Sequence, residues 1–94
     1  MKWLEMIQLR VVDGKKRLLE PELNKLVEEV GSKGKKQMVI IYNHSLIDTD
    51  YCVQVVHDSA AVENPGSPLG LRLAAALKEF GMVNHSVWGE VKRT

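Results

Sequence analysis

Three histidines, His44, His57 and His85, and one cysteine, Cys52, are the residues of this chain best suited to chemistry by type. Zinc needs three or four converging ligands. His44 and His57 fall on neighbouring strands about four residues apart, or ~13 Å at ~3.3 Å per residue. His85 lies across another strand. No two of the three are expected to converge, so the histidines read as satisfied structural groups, and neither a metal nor any other cofactor is expected. Cys52 has no spaced partner and reads as a small buried hydrophobe. Ser45 and Ser86 show no nucleophile elbow. Gly66-Ser67-Pro68-Leu69-Gly70 has neither the spacing nor the lysine of a phosphate loop.

Arg10 is the most informative single residue. An arginine fork suits a carboxylate or an oxygen-rich ligand. Its plain structural alternative is an internal pair with Asp58 or Glu90. Gln8, Asn43, Gln54 and Asn84 supply amide donors and acceptors on the same expected face, and Trp88 adds a flat apolar wall. These six residues, Gln8, Arg10, Asn43, Gln54, Asn84 and Trp88, form the candidate ligand site. A weaker candidate is an anion site where Lys33, Lys35, Lys36, Lys92 and Arg93 approach the start of the second helix. Asp58 and Glu63 blunt the field there.

The elements that must position these groups follow from apolar periodicity. Residues 3–12 read as a strand, and Asp13-Gly14 as a turn. Leu23, Leu26, Val27 and Val30 have helical spacing. Pro21 fits the first helical position, so the spacing predicts a helix over 21–30 with 15–20 as a leading turn and Gly31 as the C-cap. Residues 37–47 and 51–58 form a hairpin, 59–67 a loop. Ser67 and Pro68 open a second helix that Gly81 stops. Residues 82–92 form the last strand. The order is βαββαβ, that of the ferredoxin-like split βαβ: an α+β domain with one antiparallel four-stranded sheet, strands one and three central, and both helices on one face.

A turn centred between Asp48 and Thr49 puts Met38, Ile40, Tyr42 and His44 on one face with Tyr51, Val53, Val55 and His57. That face is assigned to the helices, with Ile7, Leu9 and Val11 and with Val83, Val87 and Val91. The open face then holds Met6, Gln8, Arg10, Val39, Ile41, Asn43, Gln54, Val56, Asn84, Ser86 and Trp88. It is too apolar to lie bare in water, which points to an interface or a ligand site. Asn43-His44-Ser45 recurs as Asn84-His85-Ser86, at expected equivalent positions in strands two and four.

At 94 residues the chain is one domain, 1–94. Charged residues at 27% and hydrophobic ones at 45% exclude a disordered tail or fibre. A single cysteine excludes an internal disulfide. No apolar run approaches the ~20 residues of a membrane helix. Thirteen basic and twelve acidic residues give a net charge of +1, which favours neither nucleic acid nor a membrane surface. The N-terminus lacks signal-peptide character, and a cytoplasmic protein is expected. The RNA-recognition motif shares this element order, but the third strand lacks its stacking aromatics. Acylphosphatase shares it too, but Asp13-Gly14-Lys15-Lys16-Arg17 is not its phosphate cradle.

The long hairpin strands MVIIYNHSL and YCVQVVHDS and the terminal HSVW strand resemble the dimeric α+β barrel group, which includes the antibiotic-biosynthesis-monooxygenase-like proteins. The resemblance implies a homodimer that pairs two sheets, open face to open face, around a cavity. It implies a small-molecule-binding protein, a cofactor-independent monooxygenase- or isomerase-like enzyme acting in that pocket. The group's Glu-x-Trp after the third strand is here Val56-His57-Asp58, so no catalytic residue is assigned. The alternative is a non-catalytic dimeric interaction or regulatory module.

Overall fold

The computed structural model describes residues 2–12, 14–32 and 37–94, with the side chains of 30–32 also outside the description. Asp13, Lys33, Gly34, Lys35 and Lys36, and with them the basic loop of the expected anion site, fall outside the described residues.

Six elements follow in order: β1 (Lys2–Val11), α1 (Lys16–Ser32), β2 (Gln37–Asn43), β3 (Asp50–Asp58), α2 (Pro68–Leu77) and β4 (Gly81–Gly89). The strands form one antiparallel sheet ordered β2-β3-β1-β4. The α+β arrangement is compatible with a ferredoxin-like fold, and β1 and β3 are central as expected. No helix is long and apolar enough to cross a membrane among the described residues.

The core lies between the sheet and the two helices. Ile7, Leu9 and Val11 of β1 and Tyr51, Val53 and Val55 of β3 pack against Leu19 and Leu23 of α1 and Leu73, Ala74 and Leu77 of α2. Side chains alternate across a strand, so one face of β1 is buried while Gln8 and Arg10 point the other way.

Three expectations are corrected. First, α1 starts at Lys16 and carries Pro21 inside it. Its first turn is closed by the N–H groups of Leu18 and Leu19 on the Lys15 carbonyl, and Leu19 is fully buried. Core contact therefore extends the helix upstream of the proline, and Gly31 lies within the last turn. Second, the hairpin is not tight. β2 ends at Asn43, and residues 44–49 form a six-residue loop. Ile41 thus pairs with Val53 and Gln37 with His57, where the tight turn would have put His44 opposite Val53. The shift is three positions, an odd number, so every β2 side chain changes face. Val39 and Ile41 pack against the core. Met38, Ile40 and Tyr42 share the open face with Cys52, Gln54 and Val56. Third, β4 ends at Gly89, and Val91, expected under the helices, is 98% exposed. The loop also separates the two Asn-His-Ser triplets: His44 lies beyond its strand, whereas His85 sits within β4 opposite Ile7.

Candidate functional site

The open face is built of rows read across the sheet. Met38, Val56, Leu4 and Trp88 form the first, and Ile40, Gln54, Met6 and Ser86 the second. Tyr42, Cys52, Gln8 and Asn84 form the third, and Asp50, Arg10 and Met82 the last. The face is apolar at one end and polar at the other, and Met38, Tyr42, Met82 and Trp88 stay exposed on it.

The polar end holds a cleft of about 490 Å³, whose lining includes Gln8, Arg10, Tyr42, Asn43, His44 and Met82. Three of the six predicted site residues, Gln8, Arg10 and Asn43, are brought together here. Asn43 reaches the cleft by a different route from the expected one. Strand parity turns it to the helix side, but it is the last residue of β2, and its amide nitrogen donates to the carbonyls of Asp48 and Asp50 at 3.0 and 3.1 Å. Asn84 stands beside the cleft and donates to the Gln8 amide oxygen at 3.4 Å. Gln54 lies one row away. Trp88 is at the opposite end, lining a smaller hollow of about 300 Å³ with Leu4 and Val56.

Arg10 pairs with neither Asp58 nor Glu90. Its register partner on β3 is Asp50, and the fork closes bidentately, Nε to Oδ1 at 2.8 Å and Nη2 to Oδ2 at 2.9 Å. The Arg10 guanidinium, first by its hydrogen bonds, holds the Asp50 carboxyl below the usual aspartate range, and Asp50 in turn raises Arg10. Burial pushes the Cys52 thiol up, so it meets the cleft as a neutral thiol.

The opposite face holds a polar cluster that was not anticipated. Glu5 is fully buried on β1, beneath the start of α2. Its Oε2 accepts from His57 Nε2 at 2.7 Å and from the Ser67 hydroxyl at 2.5 Å. Its Oε1 accepts from His85 Nε2 at 2.8 Å and from the Ser67 N–H at 3.1 Å. Four donors fill the roughly four lone-pair sites of a carboxylate. Burial alone would push the Glu5 carboxyl up. The Ser67 hydroxyl, His57, His85 and the Ser67 N–H together outweigh it and hold Glu5 below the ordinary glutamate range. The expectation that no two histidines converge is therefore overturned: His57 and His85 converge on Glu5 from β3 and β4, the two neighbours of β1.

The surroundings lock this arrangement. The Gln37 amide nitrogen lies 3.3 Å from His57 Nδ1, so Nδ1 accepts and the ring proton sits on Nε2, facing Glu5. Trp3 stacks on the His57 ring at 3.9 Å between centroids. Ser67 is also the N-cap of α2, its hydroxyl oxygen accepting from Gly70 N–H at 3.0 Å. Glu5 thus sits at the positive end of the α2 dipole. Among the described residues, no group of three or more His, Cys, Asp or Glu side chains is arranged to hold a metal ion. Ser67 and Glu5 are both fully buried, so the cluster clamps α2 to the sheet.

The chain matches no protein-family model, no curated protein and no solved structure.

Proposed function

We propose that this protein binds a small organic molecule in the cleft on its helix-free sheet face, and that two copies pair through that face as a dimeric α+β barrel. The observation that carries the reading is the 490 Å³ cleft itself, where Gln8, Arg10 and Asn43 meet the exposed apolar surfaces of Tyr42 and Met82. Ligand sites combine apolar walls with a few placed polar groups in this way. Cofactor-independent transformation of the bound molecule, of the monooxygenase or isomerase kind, is the enzymatic extension of the same reading.

The test is a thermal-shift screen of aromatic and carbonyl compounds and carboxylic acids against the wild type and Arg10→Met. A hit should raise the wild-type melting temperature and raise that of Arg10→Met less. The variant without ligand should melt close to the wild type, because the Arg10 side chain is 63% exposed and its pair lies at the surface. No hit on the wild type, with a large drop for the variant, would make Arg10 a structural residue and refute the reading.

A second observation favours pairing of the face with or without a ligand. Met38, Tyr42, Met82 and Trp88 are all exposed on one side of one sheet, while α1 and α2 cover the other. Apolar exposure gathered on one sheet face marks an interface. Sedimentation velocity at low micromolar concentration should show a dimer that Trp88→Glu weakens. A sharp monomer for the wild type would remove the barrel from the account.

A further inference from the structure

We infer that His44 is a specificity-determining residue of the cleft, and that its Nε2–H, with the spare hydrogens of Arg10 and Gln8, selects an uncharged ligand bearing acceptor oxygens over a carboxylate. The inference rests on the cleft being a ligand site, as proposed above.

It begins with the loop between β2 and β3. His44 Nδ1 accepts two backbone hydrogen bonds, from Leu46 N–H at 3.0 Å and Ile47 N–H at 3.1 Å. A nitrogen accepting both cannot carry a proton. Protonating the ring would put a donor against two donors and undo the loop. Of the two neutral tautomers the loop therefore selects the one with its hydrogen on Nε2. His44 is exposed and lines the cleft, so this hydrogen is available to a ligand.

The other polar groups of the lining are partly committed, and most of what they have left is donors. Arg10 gives Nε and Nη2 to Asp50 and retains Nη1. Gln8 accepts from Asn84 through its oxygen and retains its amide hydrogens. Asn43 gives its amide nitrogen to two carbonyls and retains its oxygen. Both oxygens of Asp50 face Arg10. His44 Nε2, Arg10 Nη1 and Gln8 Nε2 thus offer donors, Asn43 offers an acceptor, and the Tyr42 hydroxyl can do either. Its two charged linings, Arg10 and Asp50, cancel. A carboxylate accepting from Nη1 would carry its charge beside that of Asp50, which already neutralises the guanidinium. A ketone, ester or amide oxygen takes the spare donors and leaves that pair intact.

The substitution that isolates the donor is His44→Asn. The asparagine side-chain oxygen can take the two backbone N–H groups that Nδ1 accepts, as in an Asx turn, but nothing replaces Nε2–H. The probes are three molecules on one body: 2-acetonaphthone, 2-naphthoate and 2-naphthylmethylammonium. Each is titrated into nitrogen-15-labelled protein while Gln8, Arg10, Asn43 and His44 are followed. The ketone should bind about five-fold tighter than the carboxylate or more, and His44→Asn should weaken the ketone about five-fold, the worth of one hydrogen bond. The ring nitrogens of free wild-type His44 should report the tautomer with its hydrogen on Nε2 and a bare Nδ1 in the neutral ring, a readout that needs no variant.

Tighter binding of the carboxylate or the ammonium, an unchanged ketone affinity in His44→Asn, or a neutral ring with its hydrogen on Nδ1 would overturn this inference and leave the cleft as a ligand site. No response at these residues to any of the three would instead overturn the ligand site, and the inference with it.

Discussion

Glu5→Gln is expected to destabilise the protein by about 3 kcal/mol or more, because it breaks a buried charge cluster while leaving the other members in place. For a domain of this size that is a fall in melting temperature of roughly 12–24 °C. The substitution conserves volume, so no cavity accompanies it. What changes is the hydrogen bonding: an amide nitrogen replaces one carboxylate oxygen and confronts donors. If it stands at Oε2 it meets His57 Nε2 and the Ser67 hydroxyl, and at Oε1 His85 Nε2 and the Ser67 N–H. Thermal or urea unfolding monitored by circular dichroism checks the size of the effect. A loss below about 1 kcal/mol, the scale of an exposed pair, would mean that the cluster does not clamp α2.

The same variant has a signature in acid. Glu5 is held below its ordinary value of 4.5, so its contribution is fully present above that pH and is lost as the pH falls through the folded-state value. Wild type and Glu5→Gln should therefore differ most above pH 4.5 and converge below it. A gap that stays constant into strong acid would show that Glu5 is not ionised in the folded protein.

Gly70→Ala is the second large effect. On helix propensity alone the alanine would stabilise α2 by up to about 1 kcal/mol. Its Cβ, however, would stand 1.8 Å from Glu5 Oε1 and 2.3 Å from Glu5 Cδ. Glu5 cannot swing aside, because each of its oxygens is held by two donors. Overpacking costs about 1–3 kcal/mol, and displacing the carboxylate from its partners adds to that, so a net loss of about 2–4 kcal/mol is expected. Gly66 closes the cluster in the same way, its added Cβ falling 2.6 Å from both Glu5 Oε1 and His85 Cε1. A double-mutant cycle separates the clash from any other harm: in a Glu5→Ala background Gly70→Ala should cost little, because the carboxylate it would strike is gone. Equal cost in both backgrounds would place the effect elsewhere.

The fold was largely legible because the two helices and β1, β3 and β4 each have one consistent apolar period. Ser67 and Pro68 mark the start of α2 on chemistry alone. Leu9 and Val53 alternate with Arg10 and Gln54, and their faces follow from that alternation. β2 was not legible in the same way. Met38, Val39, Ile40 and Ile41 are apolar in an unbroken run, so either parity looks adequate. The decision fell to the turn, and the loop conformation depends on His44 accepting from two backbone groups, which spacing does not reveal. The Glu5 cluster was within reach. Glu5 has the parity of Ile7 and Leu9, and His57 and His85 have the parity of Val55 and Val83 on the two flanking strands. Alternation alone puts all three on the helix-covered face, where a charge needs partners. What brings His57 and His85 together is a shared buried carboxylate, which the distance between His44 and His57 along the strands does not touch. Of the candidate-site residues, Gln8 and Arg10 have a place on the helix-free face that was legible from parity. The partner of Arg10 was not, because it depends on the β1–β3 register and on β3 starting at Asp50, which a tight turn would leave in the connection.

The most direct test of the ligand site is a crystal structure of the protein soaked with the strongest compound from the thermal-shift screen. The account predicts the compound on the helix-free face, in contact with Gln8, Arg10 and Asn43 and enclosed by a second copy of the chain. The compound bound elsewhere, with that face packed as a dry seam of apolar side chains, would contradict it.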